Sequence, residues 1–225
     1  MIRSIVIDVG AGLIQRYQEM LSRDPGLIIH SIAPLAPPQL PQSVLKRVIV
    51  HTGFVISDAD TDANAVYTDE ASGTTSLLPF NVANTRRWKL PRFQTKRPTS
   101  ARVVHRLPSK TLETFINDIQ LNGNITLVNI NVQGYADKVL AGISTKRTWS
   151  VIKEITVKVH TIDYDLYQGQ AKLTDIMDTM LVHGYSVWKQ TPKSQGQETV
   201  ISFRNQTAAR ISWPFRQYSL SHFVH

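Results

Sequence analysis

The 225-residue chain has no cysteine. Disulfides, thiol nucleophiles and cysteine-ligated zinc are therefore excluded, and a reducing compartment is permitted. Long apolar runs are missing too. No stretch reaches eighteen residues, so no membrane-spanning helix is expected. The opening Met1-Ile2-Arg3 has one basic residue, meets an acid at Asp8 and shows no small-residue cleavage site. No secretory signal is expected, and the expected location is cytoplasmic. Acid is the scarcer charge, with 17 Asp and Glu against 25 Lys and Arg and a formal net charge of +8. That balance favours anionic partners, although net charge speaks to association rather than to fold. His30, His51, His105 and His183 show no metal-ligand spacing, so no metal is assigned.

The chain is long enough for one domain with a real core, and its hydrophobic fraction of 42 % is ordinary. Residues 2–9 read as a buried strand ending at Asp8-Val9-Gly10-Ala11-Gly12. Leu13, Ile14, Tyr17 and Leu21 then follow at helical spacing. A carboxylate at a strand end, followed by small residues, lets the backbone approach a ligand closely. The dinucleotide fingerprint wants a third glycine where Gln15 stands, and no Gly-Lys-Ser/Thr follows, so the P-loop is excluded. Short strands are expected at 27–29 and 47–57, around a loop rich in proline between Pro34 and Pro41. The stretch 58–100 reads as a polar loop with a short strand near 65–68. A strand at 101–107 leads to a helix over 109–118 with Ser109 as N-cap. Beyond it the pattern predicts a strand at 125–132, a helix over 136–141, a strand at 151–161 and an amphipathic helix over 170–182. Two last strands, 184–190 and 198–204, flank a polar turn. Strands alternating with helices point to an α/β fold with a mostly parallel sheet and an antiparallel edge.

Five segments, in order, resemble the FkbM-type family of S-adenosylmethionine (SAM)-dependent methyltransferases. They are the first strand and turn at Asp8-Val9-Gly10-Ala11, the Ser/Gly segment 72-SGTTSLL-78, 103-VVHRLPSKTLETFI-116, 130-INVQGYADKVLAG-142 and 166-LYQGQ-170. The resemblance covers roughly residues 4–190. It implies a class I SAM-methyltransferase (Rossmann-like) fold: a seven-stranded, mostly parallel sheet with an antiparallel C-terminal hairpin. It also implies S-adenosylmethionine as cofactor and a hydroxyl acceptor on a carbohydrate or small metabolite. The expected domain spans 1–205, with 71–100 as a long basic insertion and 206–225 as a tail that packs on the domain or mediates contacts.

The resemblance assigns Asp8, Gly10 and Gly12 to the methionine end of the cofactor and Asp58 to its adenine amino group. Where the family has a glutamate for the ribose hydroxyls this chain has Ala33, which leaves Ser31 or water to substitute. Asn131 replaces the family aspartate after the fourth strand, and His160 lies near another acidic place. These two are the catalytic candidates, His160 as the base that takes the hydroxyl proton. Ser76, Gln133 and Tyr167 fall on the acceptor side. The exchanged carboxylates leave two readings open: an active enzyme with altered chemistry, or a methyltransferase-fold protein acting as a nucleic-acid- or protein-binding module. For the second, Arg86, Arg87, Trp88, Arg92 and Arg97 offer cations and an aromatic ring to RNA or another polyanion.

Overall fold

A computed structural model describes residues 4–11, 13–35, 40–69, 74–85, 103–119 and 125–206. The expected roles of Gly12, of Arg86, Arg87, Trp88, Arg92 and Arg97, and of the tail beyond residue 206 lie outside the described residues.

The main layer is a seven-stranded sheet. Its strands are β1 (Ile5–Val9), β2 (Ile28–Ile32), β3 (Val48–His51), β8 (Ile125–Ile130), β9 (Glu154–His160), β10 (Tyr185–Lys193) and β11 (Glu198–Asn205). Their order is β10-β11-β9-β8-β1-β2-β3. The five strands from β9 to β3 pair in parallel, and β11 runs antiparallel to both β9 and β10. β1 is buried along its whole length, which is why it reads as a continuous apolar run rather than an alternating one.

Each face of this sheet has its own core. On one face Val6, Ile29 and Leu127 pack against Leu13, Tyr17 and Leu21, the apolar stripe of helix α1 (Tyr17–Arg23) and the turn before it. On the other, Ile5, Ile7, Val128 and Val157 belong to a larger core. It is closed by α3 (Leu112–Asp118), α4 (Ala136–Ala141), α5 (Lys146–Val151) and α6 (Leu173–Val182). A further one-turn helix, α2 (Val82–Thr85), precedes the basic segment.

The expected polar loop over 58–100 is corrected where it is described. Strands β4 (Val55–Ser57), β5 (Thr61–Asp69), β6 (Thr74–Ser76) and β7 (Val103–Thr111) form a second sheet in the order β4-β7-β5-β6. The single strand expected at 47–57 is broken between β3 and β4 at Gly53, whose φ of +81° turns the chain into the second sheet. β7 runs through Pro108 because the register with β5 shifts between Thr61 and Asn64, and a bulge spares the proline a ladder hydrogen bond. The N-cap of α3 is consequently Thr111, whose side chain accepts from the Thr114 N–H at 3.0 Å, while Ser109 donates to the Ala59 carbonyl. The 151–161 strand begins later than expected, since α5 takes residues up to Val151.

Candidate active site

The parallel strands end together, and β1 has β2 on one side and β8 on the other, so crossovers leave in opposite directions there. Such a switch point opens a crevice at the carboxyl ends of the strands. A cavity of about 560 Å³ occupies it, within the ~300–1,000 Å³ usual for small-molecule sites. Its walls come from four places. The turns after β1, β2 and β8 supply Gly10 and Ala11, Ala33, and Asn131 and Gln133. The second sheet closes the far side with Val55, Ile56, Val66 and Ser76; of these the sequence singles out Ser76 alone as a site residue.

Two backbone positions shape the floor. Gly10 has φ +87°, and a Cβ there would stand 2.2 Å from the Asn131 carbonyl oxygen, so the β1 turn can cross the end of β8 only as glycine. Ala11 and Gln133 take φ of +51° and +50° without being glycine, and both line the cavity. Left-handed non-glycine residues concentrate at functional turns, where the surroundings hold them in place.

Asp8 is at the right height but on the opposite face. Its Oδ2 accepts from the Leu13 N–H at 2.8 Å and the Tyr17 hydroxyl at 2.7 Å, and its Oδ1 accepts from Asn129 Nδ2 at 2.7 Å. It is fully buried, braces the turn from beneath and does not line the cavity. Burial, with Asp8 alongside, pushes the Tyr17 hydroxyl far above its ordinary range and keeps it a donor. Ser31 pairs in register with Asp8 and is buried on the same face, so it does not take the place that Ala33 leaves vacant on the wall. Asp58 is exposed, accepts from Ser57 Oγ at 2.9 Å and is not among the lining residues.

On the β8 side the sequence candidates come together. Ser76 Oγ donates to the Gln133 carbonyl at 2.8 Å and accepts from the Leu78 N–H at 3.0 Å. Gln133 Oε1 accepts from the Tyr167 hydroxyl at 3.3 Å. Asn131 lines the cavity, and its buried Oδ1 has no hydrogen-bond partner among the described residues. Buried polar atoms in folded proteins are nearly always paired, so an unpaired acceptor on a lining residue points to a missing donor.

His160 stands one layer back. Its ring lies 5.5 Å from that of Tyr167, centroid to centroid, and its Nε2 is 3.4 Å from Glu198 Oε1. Glu198 in turn holds Lys158 Nζ at 2.9 Å. Burial, aided by the Lys158 charge, lowers His160 to about 4 despite the opposing pull of Glu198. The imidazole is therefore neutral at pH 7, but Tyr167 and Gln133 stand between it and the cavity. Contact with a substrate hydroxyl, which a general base requires, is absent from this arrangement. Nothing local in the sequence marks Glu198 as its companion, because the two meet only through the antiparallel register of β11 on β9.

No protein-family profile matches the chain, and no curated protein matches it. Solved structures similar to it include the mitomycin 7-O-methyltransferase MmcR, at 12% identity and a TM-score of 0.41, over 90% of this chain and 49% of that one. CalO1, a methyltransferase in calicheamicin biosynthesis with bound SAH, gives 11% identity and 0.39, over 89% and 48%. The precorrin-6y C5,15-methyltransferase of Geobacter metallireducens GS-15 gives 11% and 0.41, over 91% and 80%. The chain spans about half the length of the first two.

Proposed function

We propose that the cavity holds S-adenosylmethionine and that the chain is an O-methyltransferase acting on a hydroxyl of a carbohydrate or other small metabolite. The observation that supports this most is the cavity itself, at the switch point of a mostly parallel sheet, floored by a turn that only glycine at position 10 can make. The residues fit the cofactor at one end. The Gly10–Ala11 backbone lets a ligand come close, as the methionine end requires, and Ile32, Pro34, Leu35 and Val55 offer an apolar slot for a planar base. At the ribose the fit is thinner, since Ala33 has no acceptor to offer and the hydroxyls are left to backbone and water.

When bound, the cofactor supplies an electrophilic methyl group on a sulfonium whose electron pair returns to sulfur. The chain's own part is positioning. Asn131 and Gln133 hold the acceptor on the β8 side, facing the cofactor turn, and in-line placement alone lowers such a barrier strongly. None of the described lining residues is ionisable, so the hydroxyl proton leaves to water. That same observation favours the second reading, a catalytically weakened methyltransferase-fold protein acting as a nucleic-acid- or protein-binding module. Association with RNA through Arg86, Arg87, Trp88, Arg92 and Arg97 rests on charge and aromatic content alone.

Titration calorimetry with S-adenosylhomocysteine (SAH) is the test. Saturable binding is expected, and no heat at millimolar ligand overturns the cofactor assignment. Binding without methyl release to any hydroxyl acceptor selects the second reading.

A further inference from the structure

We propose that the turn after β8 reads a neutral hydroxyl through a donor–acceptor pair, Gln133 donating and Asn131 accepting, and that Tyr167 is the positioning residue that sets Gln133. This deepens the methyltransferase reading and rests on it for the identity of the neighbouring ligand.

Gln133 comes first. A tyrosine hydroxyl at 3.3 Å from its Oε1 engages the oxygen as an acceptor. With the amide in this orientation Oε1 faces Tyr167, and the Nε2 donors remain for a ligand in the cavity that Gln133 lines. Asn131, two residues earlier, offers the complement, a buried Oδ1 with no partner among the described residues. The pair stands ready-made in the protein, and a ligand has to match it.

The pair is also held still. Gln133 and Gly134 both take positive φ, and Ser76 Oγ grips the Gln133 carbonyl. The Ala171 N–H donates to the Gly134 carbonyl at 2.7 Å, and a Cβ at Gly134 would stand 3.1 Å from both Tyr167 Cδ2 and Gln170 Cβ. Tyr167 is itself seated from three sides. Gln170 Oε1 accepts from the N–H groups of Leu166 and Tyr167 at 2.9 and 3.2 Å, the Phe80 ring lies 4.8 Å away, and His160 lies behind. Tyr167 is 1% exposed. Placement of this kind, with each polar group fixed by a neighbour that is itself packed, is what discrimination between ligands requires.

The chemistry then selects. A hydroxyl donates once and accepts, so it satisfies both groups. A carboxylate accepts from Gln133 but meets the Asn131 oxygen with no proton to give. An ammonium donates to Asn131 but meets the Gln133 N–H groups with no lone pair. A mismatch that leaves a buried polar group unpaired is the strongest discrimination a neutral site offers.

Three fragments that share one ring test this: 2-phenylethanol, phenylacetate and 2-phenylethylamine, with dissociation constants from ligand-observed NMR. The measurement is made on the protein saturated with SAH and on the protein alone. The alcohol is expected to bind at least tenfold more tightly than either ion. In Tyr167→Phe, which keeps the ring but frees the Gln133 amide to turn over, the preference is expected to fall below threefold while the melting temperature moves little. Equal binding of the three, no binding of any, or an undiminished preference in Tyr167→Phe overturns the proposal. The SAH titration is read separately: if SAH fails to bind, the cofactor assignment falls, and the fragment ranking on the protein alone still decides the donor–acceptor pair.

Discussion

Asp8 offers the sharpest way to separate a residue that touches a ligand from one that builds the place where a ligand sits. The resemblance puts it at the cofactor, whereas the structure puts its carboxylate beneath the turn with three donors on it. Replacing it by alanine strands the Leu13 N–H, the Tyr17 hydroxyl and the Asn129 amide in a fully buried place. Each stranded donor costs about 1–3 kcal/mol. The hydroxyl can rotate toward the neighbouring Ser31, so two full penalties and part of a third remain, about 4 kcal/mol together. For a chain of this length that lowers the melting temperature by roughly 8–16 °C.

Asparagine at position 8 behaves differently. Its carbonyl oxygen still serves Leu13 and Tyr17. Its new NH₂ faces the Asn129 amide, which can turn over and present its own oxygen. The cost is then about 1 kcal/mol, or roughly 2–4 °C. Thermal unfolding followed by circular dichroism gives the two midpoints, and SAH titration below both gives the affinity. The brace predicts a large fall for Asp8→Ala, a small one for Asp8→Asn, and an SAH affinity within threefold of wild type in the asparagine variant. An alanine variant that melts within about 2 °C of wild type refutes the reasoning. So does an asparagine variant that keeps its midpoint yet loses SAH tenfold, because the charge would then be meeting the ligand.

The same contrast explains how much could be read from the sequence. The main sheet was legible because both its faces are covered: β1 and β8 are short, mostly apolar runs bounded by Gly10 and by the Gln133–Gly134 turn, and β9 alternates apolar with polar residues at strand period. Helix α4 was found over the residues it occupies, since Val139 and Leu140 face a core and Gly142 follows. The second sheet was not legible. Most of β7 is exposed or half-buried, β5 begins with three exposed residues, and Pro108 advertises a break that a bulge in the partner strand absorbs. Nor could spacing say which face of a strand a side chain takes. Asp8 and Gly10 are two residues apart, yet one braces the turn and the other floors the cavity. The candidates on the β8 side came out together because Asn131 and Gln133 share one tight turn, where local sequence fixes position. His160 missed the wall because its place depends on the loop carrying Tyr167, whose docking is a tertiary matter.

Three further outcomes follow from the same contacts. Ala33→Glu gives the cavity wall an acceptor for ribose hydroxyls and is expected to tighten SAH about tenfold, the effect of one charge-assisted hydrogen bond of ~1.5 kcal/mol; unchanged affinity would show that no ribose lies there. Burial alone would raise the Glu113 carboxyl, but hydrogen bonds from Ser144, Thr145 and Thr148 outweigh it and hold the group down to about 2. Its contribution is therefore present above pH 4.5 and lost as pH falls from there towards 2. Glu113→Gln should show a shallower loss of stability across that interval in acid unfolding. The histidines act at milder pH. Burial, joined by His51 for His30 and by Lys158 for His160, lowers both to about 4, against 6.5 in the unfolded chain. The folded state thus resists protonation of both, and the stability this contributes is whole above pH 6.5 and lost as pH falls through about 4. For His160, shut in by Glu198, Lys158 and Tyr167, the difference is worth up to ~3 kcal/mol. His160→Gln is expected to remove part of the fall in melting temperature between pH 6.5 and 4, with His30, His51 and His183, which burial also lowers, supplying more of it. If the acid limb of the variant overlays that of wild type, His160 is already charged in the folded protein and Glu198 has a claim on its proton that burial does not defeat.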